Sequence, residues 1–369
     1  MFPVVKDLPN LSNVPFVDQQ KSQKLKIAVV LPVFNTATYL RECIESLLQQ
    51  TYANFVIFAV DDGSTDKSSA ILDEYSKEDI RLRVWHLNNG GVSRARNFAL
   101  EQIEREGGFH YVAFCDSDDV VTSDFLQLYV YGATTFNAQF ITIGYLKFDK
   151  QGVVRRARKK LMHAPILLEG ESLQEFCLSL HPESRNLPSS AYFLNNVALS
   201  ATCIQGLRFD EERVIGEDAE YRFQAIHRIK RGVVLSNIGY MYRLRKSSLS
   251  SRVSLSSLYS DLELYLGWLD HRGMIRDNIA AKVKRLLVKK FQEAIILAYE
   301  DGSLHEYWDD FCVYYNRIRK YNLKSVSRKT TFLIFALGPM VTGFYLWLVR
   351  FGKRPRREKL EMKMRSAFD

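Results

Sequence analysis

Cysteine is scarce in this chain and shows no organisation. Cys43, Cys115, Cys177, Cys203 and Cys312 are scattered, odd in number and never form a CxxC pair. This excludes a disulfide framework and a cysteine zinc ribbon, and it suits a reducing compartment. The seven histidines are equally dispersed, without an HExxH, so the usual zinc-hydrolase signature is missing. Met1–Lys24 lacks the apolar run of a signal peptide and carries Pro3, Pro9 and Pro15; it reads as a loose leader. No internal repeat and no low-complexity segment is present.

Basic charge is also absent where a nucleic-acid binder would carry it. The net charge is +9, but residues 321–369 hold 11 Lys and Arg against 3 Asp and Glu. The first 320 residues are therefore close to neutral, and no basic domain face is implied. The rest of the composition, 47% hydrophobic and 25% charged, is ordinary for a globular protein and excludes disordered, collagen-like and multi-span membrane classes. At about 150 residues per domain, the length implies two to three domains.

From residue 26 the chain alternates. Apolar runs at Ile27–Leu31, Phe55–Val60, Leu82–Leu87 and Tyr111–Cys115 read as buried strands. Between them, Leu40, Ile44, Leu47 and Leu48, then Ser68–Tyr75, then Val92, Ala95, Ala99, Leu100 and Ile103 read as helices. Phe125–Tyr131 continues as helix and Phe140–Leu146 as strand. This alternation predicts an α/β fold with a Rossmann-like, mostly parallel central sheet. Such sheets bind ligands beyond the carboxyl ends of their strands, where the chain places Asn35, Asp61–Asp66 and Asp116–Asp119. After residue 147 the alternation breaks. Val153–Lys160 reads as a charged sheet edge or an acceptor contact. A helix is expected over 217–229, and amphipathic helices from residue 257, with stripes at Ile279–Ile295 and Tyr307–Ile318.

Four clusters bear on chemistry, and each has two readings alone. Asp116-Ser117-Asp118 is an acidic turn or a seat for magnesium or manganese with a substrate phosphate. In Asp61-Asp62-Gly63-Ser64-Thr65-Asp66, Gly63 allows a sharp turn and Asp66 suits a helix cap. Asp61 and Asp62 are left over to accept hydrogen bonds from a base or ribose. Glu217-Asp218 after Gly216 gives favourable first-turn charge or a general base on a rigid helix. Asn88–Gly91 leads into Ser93–Asn97 as a simple helix start, or as one whose arginine and asparagine line a nucleotide site.

Taken together, their order resembles the family 2 glycosyltransferases of the GT-A fold. The likeness runs from IAVVLPVFNTATYLRECIESLLQQTYANFVIFAVDDGSTDKS through NNGGVSRARNFAL and FCDSDD to LRFDEERVIGEDAEYRFQA and GYMYRLRKSSLS, roughly residues 26–250. The resemblance implies a hexosyltransferase-type enzyme of cell-surface polysaccharide synthesis. It implies a nucleotide-contacting loop at Pro32-Val33-Phe34-Asn35, and Asp62 with Asp61 at the base and ribose. Arg96 and Ser117 are expected at the nucleotide sugar. Asp116 and Asp118 are implied as ligands of Mn2+ or Mg2+ and the diphosphate, Asp218 beside Glu217 as the catalytic base, and Arg243, Ser248 and Ser250 as a loop closing on the diphosphate. A UDP-sugar donor and a glycan or lipid-linked acceptor follow. Asn195-Asn196 departs from the family, where a lysine before an aromatic is common. No QxxRW-type motif is present, which argues against a processive synthase.

The expected domains are a leader (1–25), a nucleotide-sugar half (26–147), an acceptor and base half (148–256), a helical extension (257–329) and a membrane-associating tail (330–369). Thr330–Val349 carries no charge over 20 residues, enough to span a bilayer, but Gly338-Pro339 interrupts it and basic residues flank both ends. A re-entrant or interfacial segment on the cytoplasmic face of the cell membrane keeps both flanks on one side. Two other classes compete. A sugar-1-phosphate nucleotidyltransferase would need a glycine-rich basic loop after the first strand, where PVFNTATYL stands instead. A non-catalytic sugar-nucleotide or carbohydrate-binding protein would keep the fold without need of Asp116, Asp118 and Asp218.

Overall fold

The computed structural model describes residues 24–149, 164–177, 194–213, 216–245, 254–270 and 276–321. They fall into two compact units divided between Ser251 and Arg252.

The first unit opens with β1 (Ile27–Val33), α1 (Ala37–Leu48), β2 (Phe55–Asp61), α2 (Ser68–Glu78), β3 (Leu82–His86), α3 (Val92–Glu106) and β4 (Tyr111–Phe114). Every residue of β1 and β2 is buried, as expected of central strands covered on both faces. The rest of this unit contains β5 (Val120–Val121), α4 (Phe125–Phe136), β6 (Phe140–Phe148), β7 (Ile166–Glu169), α5 (Gly170–Cys177), β8 (Val197–Ser200), α6 (Ala201–Ile204), α7 (Glu217–Ile226) and β9 (Arg231–Arg243).

The sheet order among the described residues is β3-β2-β1-β4-β8-β6-β9-β5, with β7 also on β9. The β3-β2-β1-β4 portion is parallel. Beyond it, β8 runs antiparallel to both β4 and β6, while β6 and β9 are parallel. The parallel pattern expected from strand–helix alternation thus holds where the alternation does, and the sheet becomes mixed where it stops. Alternate residues of β1 feed two cores. Val29 and Leu31 pack beneath α1 and α4, and Ala28 and Val30 pack beneath α3 and α7.

The second unit consists of α8 (Leu255–Asp270), α9 (Asp277–Glu300) and α10 (Trp308–Ile318). Ile279, Val283, Leu287, Phe291, Ala294 and Ile295 of the expected stripe are buried, and Phe291 meets Phe311 edge-on at 6.1 Å between ring centres. No helix among the described residues is long and apolar enough to cross a membrane. The leader to residue 23, Val153–Lys160, Ser248, Ser250 and the 330–369 tail lie outside the described residues.

Candidate active site

The carboxyl ends of β1, β2 and β4 converge, as the sheet topology requires. Pro32 lies within β1, buried and paired in register with Val60. Phe34 is 47% exposed, and Asn35 turns the chain with φ +51°. Asn35 Oδ1 accepts from Thr65 N at 2.8 Å, and Asn35 N donates to Ser64 Oγ at 3.0 Å. The first loop is thereby tied to the 62–66 turn. Asp66 accepts from Ala37 N and Ser68 N, both at 2.9 Å, serving the starts of α1 and α2 together.

Asp61 and Asp62 separate in role. Asp61 is buried and accepts from Ser64 N at 3.0 Å, Ser69 Oγ at 2.6 Å and the His86 ring at 2.9 Å. The parallel register sets Asp61 beside His86. Burial alone would raise the Asp61 pKa, but the hydrogen bonds from Ser64, Ser69 and His86 outweigh it and hold it below the ordinary range. Asp61 therefore works inside the turn. Asp62 accepts from Gly90 N at 2.9 Å, Gly91 N at 2.8 Å and Asn89 Nδ2 at 3.2 Å, pinning the loop that starts α3. Gly63 is obligatory there, since a Cβ would stand 2.7 Å from Asn89 N and φ is +72°.

Arg96 is the hub of the site. It is 4% exposed and projects from α3 between two acidic groups remote in sequence. Its NH1 donates to Asp218 at 2.8 Å and Glu217 at 3.1 Å, and its NH2 to Asp116 at 3.2 Å. Expected to contact the nucleotide sugar directly, Arg96 instead has both terminal nitrogens on protein carboxylates. Burial disfavours its charge, yet Asp218, Asp116 and Glu217 together raise its pKa above the ordinary value. The Glu217 and Asp218 carboxyls are both pushed up, first by burial and then by neighbouring carboxylates, against the lowering effect of Arg96. Asn97, next along α3, points to the 209–211 segment, donating to Phe209 O at 3.0 Å and Glu211 at 2.8 Å. Phe209 lies under Arg96 at 5.3 Å and borders a groove of about 720 Å³ with Arg94, Phe98, Glu101 and Glu211.

Asp116, Asp118 and Asp119 bring carboxylate oxygens within 4.8 Å of one another. Asp119 is occupied, accepting from Arg243 N at 2.7 Å and Tyr240 OH at 2.6 Å. Burial raises its carboxyl strongly. Tyr240 also accepts from Asp116 N at 3.2 Å, so one phenol fixes both ends of the acidic turn. Ser117 is buried, its Oγ accepting from Thr36 Oγ1 at 3.0 Å. Asp116 and Asp118, though paired with Arg96 and Asn195 and with Arg245, present an oxygen-only donor set that fits a hard divalent cation. Asp118 is raised by burial and by Asp116, and it is paired with Arg245 at 2.5 Å.

Arg243 is held otherwise than expected. Its guanidinium meets Glu42 at 2.6 Å, donates to Asp118 O at 2.7 Å and stacks over Phe148 and Tyr39, which makes it a brace beneath the acidic turn. Sequence reasoning missed Arg245 and Tyr240, and it gave no individual role to Asp119 within the acidic cluster or to Asn195. Arg245 was within reach, because residues two apart on an extended chain share a face with Arg243. Asn195 donates to Asp116 Oδ2 at 2.5 Å, although its position was marked only as a departure.

Residues 28–181 match the model for glycosyl transferase family 2. Among relatives, glycosyltransferase GlyA of Streptococcus pneumoniae is 32% identical over 61% of this chain and 31% of its own length. EpsJ of Bacillus subtilis, an uncharacterized glycosyltransferase, is 30% identical over 61% of this chain and 62% of its own. The chain thus spans less than two thirds of either relative. Residues 1–349 of TarS from S. aureus, solved in complex with UDP-GlcNAc, share the fold with a TM-score of 0.68 at 19% identity, over 90% of this chain and 93% of that one.

Proposed function

From the premise that this chain carries a glycosyltransferase family 2 domain of GT-A fold, we propose that it transfers a sugar from a UDP-sugar to a glycan or lipid-linked acceptor, with inversion at the anomeric carbon. The carrying observation is the single guanidinium of Arg96, which joins Asp116 to Asp218. It gathers a carboxylate suited to the diphosphate side and one suited to the acceptor side within one span. Asp218 takes the proton of the attacking acceptor hydroxyl. Its raised pKa makes it a stronger base than an ordinary aspartate, while Arg96 keeps it ionised. Glu217 shares that guanidinium and completes the charge balance.

Asp116 and Asp118 would hold Mn2+ or Mg2+. When bound, the cation supplies charge neutralisation at the departing diphosphate. By holding the cation the two carboxylates would set where the diphosphate lies, and Tyr240 and Asp119 keep them oriented. The loop that Asp62 pins through the Gly90 and Gly91 amides is read as the face for the base and ribose. The basic flanks of the 330–369 tail support work at an anionic membrane surface, where a lipid-linked acceptor is presented. The presence of TarS, solved with UDP-GlcNAc, among the structural neighbours supports uridine as the donor base.

The test is turnover and calorimetry with a panel of UDP-, GDP- and TDP-sugars and manganese. Release of UDP, with tighter binding of UDP than GDP, is the expected result. Preference for GDP removes the donor assignment, and failure to turn over any donor removes the enzymatic reading.

A further inference from the structure

One buried acceptor atom of the site has no donor. Asn195 is 3% exposed. Its Nδ2 donates to Asp116, and its Oδ1 is enclosed without a hydrogen bond. Chemistry fixes this orientation, because an ionised carboxylate only accepts. The amide nitrogen must face Asp116 and the oxygen must turn away. Buried polar atoms in folded proteins are nearly always paired, so an unpaired one inside a site is a place where an incoming group can supply the partner.

The neighbouring residues narrow what that group is. Leu194 N lies 3.4 Å from Asp218 Oδ2, so consecutive residues of one turn touch the two carboxylates at opposite ends of the reaction. Asn196 locks the turn, donating to Ile143 O at 2.7 Å and accepting from Ile143 N at 3.0 Å through its own carbonyl. The carboxylates nearest Asn195, on Asp116 and Asp218, are acceptors, and the donors of Arg96 that face them are already engaged. Arg96 Nε is likewise buried without a partner, and a ligand hydroxyl, which donates as well as accepts, can satisfy Asn195 Oδ1. Between the diphosphate side at Asp116 and the acceptor side at Asp218 lies the glycosyl ring in transfer, which is rich in O–H donors.

We propose that Asn195 is a specificity-determining residue that accepts a hydrogen bond from a hydroxyl of the donor's glycosyl ring while its nitrogen steadies Asp116. The assignment rests on the glycosyl-transfer reading above and deepens it.

Calorimetry on the full chain with manganese, using UDP, UDP-glucose, UDP-galactose and UDP-GlcNAc, separates the two. In Asn195→Leu, which also removes the bond to Asp116, UDP and the UDP-sugars should all weaken, but the preferred UDP-sugar should lose roughly 10-fold more than UDP does, and preference among the three sugars narrows. Asn195→Ser, which keeps a polar group of shorter reach, guards against a folding defect, and retained UDP binding reports an intact site. Equal losses for UDP and UDP-sugar would mean that Asn195 acts only through Asp116, and unchanged affinities that it touches no sugar; either overturns the assignment and leaves the glycosyl-transfer reading standing. If the unsubstituted protein binds none of the four, the parent reading falls and this one with it.

Discussion

The guanidinium of Arg96 meets the carboxylate of Asp218 at 2.8 Å across 122 positions of sequence. α3 and α7 are thereby clamped near their N-terminal ends, and the proposed base is held at the same cation that reaches Asp116. A buried arginine among three carboxylates is costly to disturb, since removing one partner strands the others without compensation.

Asp218→Asn should lower transfer roughly 10²–10⁴-fold while UDP binding is retained. The amide keeps shape and the bond from Leu194 N but cannot take a proton. Steady-state rates with parallel calorimetry provide the check, and more than about half the original rate would remove Asp218 from the role.

Arg96→Met should destabilise the fold by about 3–5 kcal/mol, the usual cost of leaving a buried pair broken. Arg96→Lys should recover part of the stability but little of the activity, because an ammonium cannot span Asp116 and Asp218 as the planar fork does. Urea denaturation and turnover of both variants are the measurements.

Asp118→Ala should weaken manganese and UDP binding together, and excess chelator should abolish turnover in the unsubstituted protein. Titration of each ligand alone and in combination tests the coupling. Full activity in chelator would exclude cation-assisted transfer.

His86 should give stability a defined pH window. Burial lowers its pKa, but its bonds to Asp61 and Asp73 prevail and raise it from 6.5. Its contribution is therefore complete below 6.5 and fades as pH rises through the raised folded value. Asp61 is lowered from 3.8, so its contribution is complete above 3.8 and is lost as pH falls through the lowered folded value. The advantage of the unsubstituted protein over His86→Gln should be greatest between these limits and shrink on the alkaline side. Melting curves across pH decide it.

The parallel half of the sheet was legible because each apolar run ends in a polar cluster, and β1, β2 and β4 carry that signal without interruption. The short strands β5 and β8 were not, since two or four residues give no periodicity to read. In the candidate site, Asp116, Asp118 and Asp218 were singled out by residue type and order. Their partners were not, because the Arg96 pairs, the Tyr240–Asp119 bond and the Asn195–Asp116 bond all join distant segments. Asp61 and Asp62 look equivalent in sequence; strand alternation sends one to His86 and the other to the Gly90 amide.

β9 also limits how this protein can be recombined with its relatives. The acidic turn belongs to the early part of the chain, yet Val120–Val121 pairs with β9, and the Asp119 carboxylate is satisfied by Tyr240 and Arg243. A chimera that takes residues 1–147 from this chain and the remainder from a homologue inherits the acidic letters without the phenol that shapes them. Only a donor of the second segment with a tyrosine at the register of Tyr240 would restore the turn. Crossovers chosen by sequence similarity alone should therefore yield folded but inactive hybrids, with activity following the provenance of that one strand.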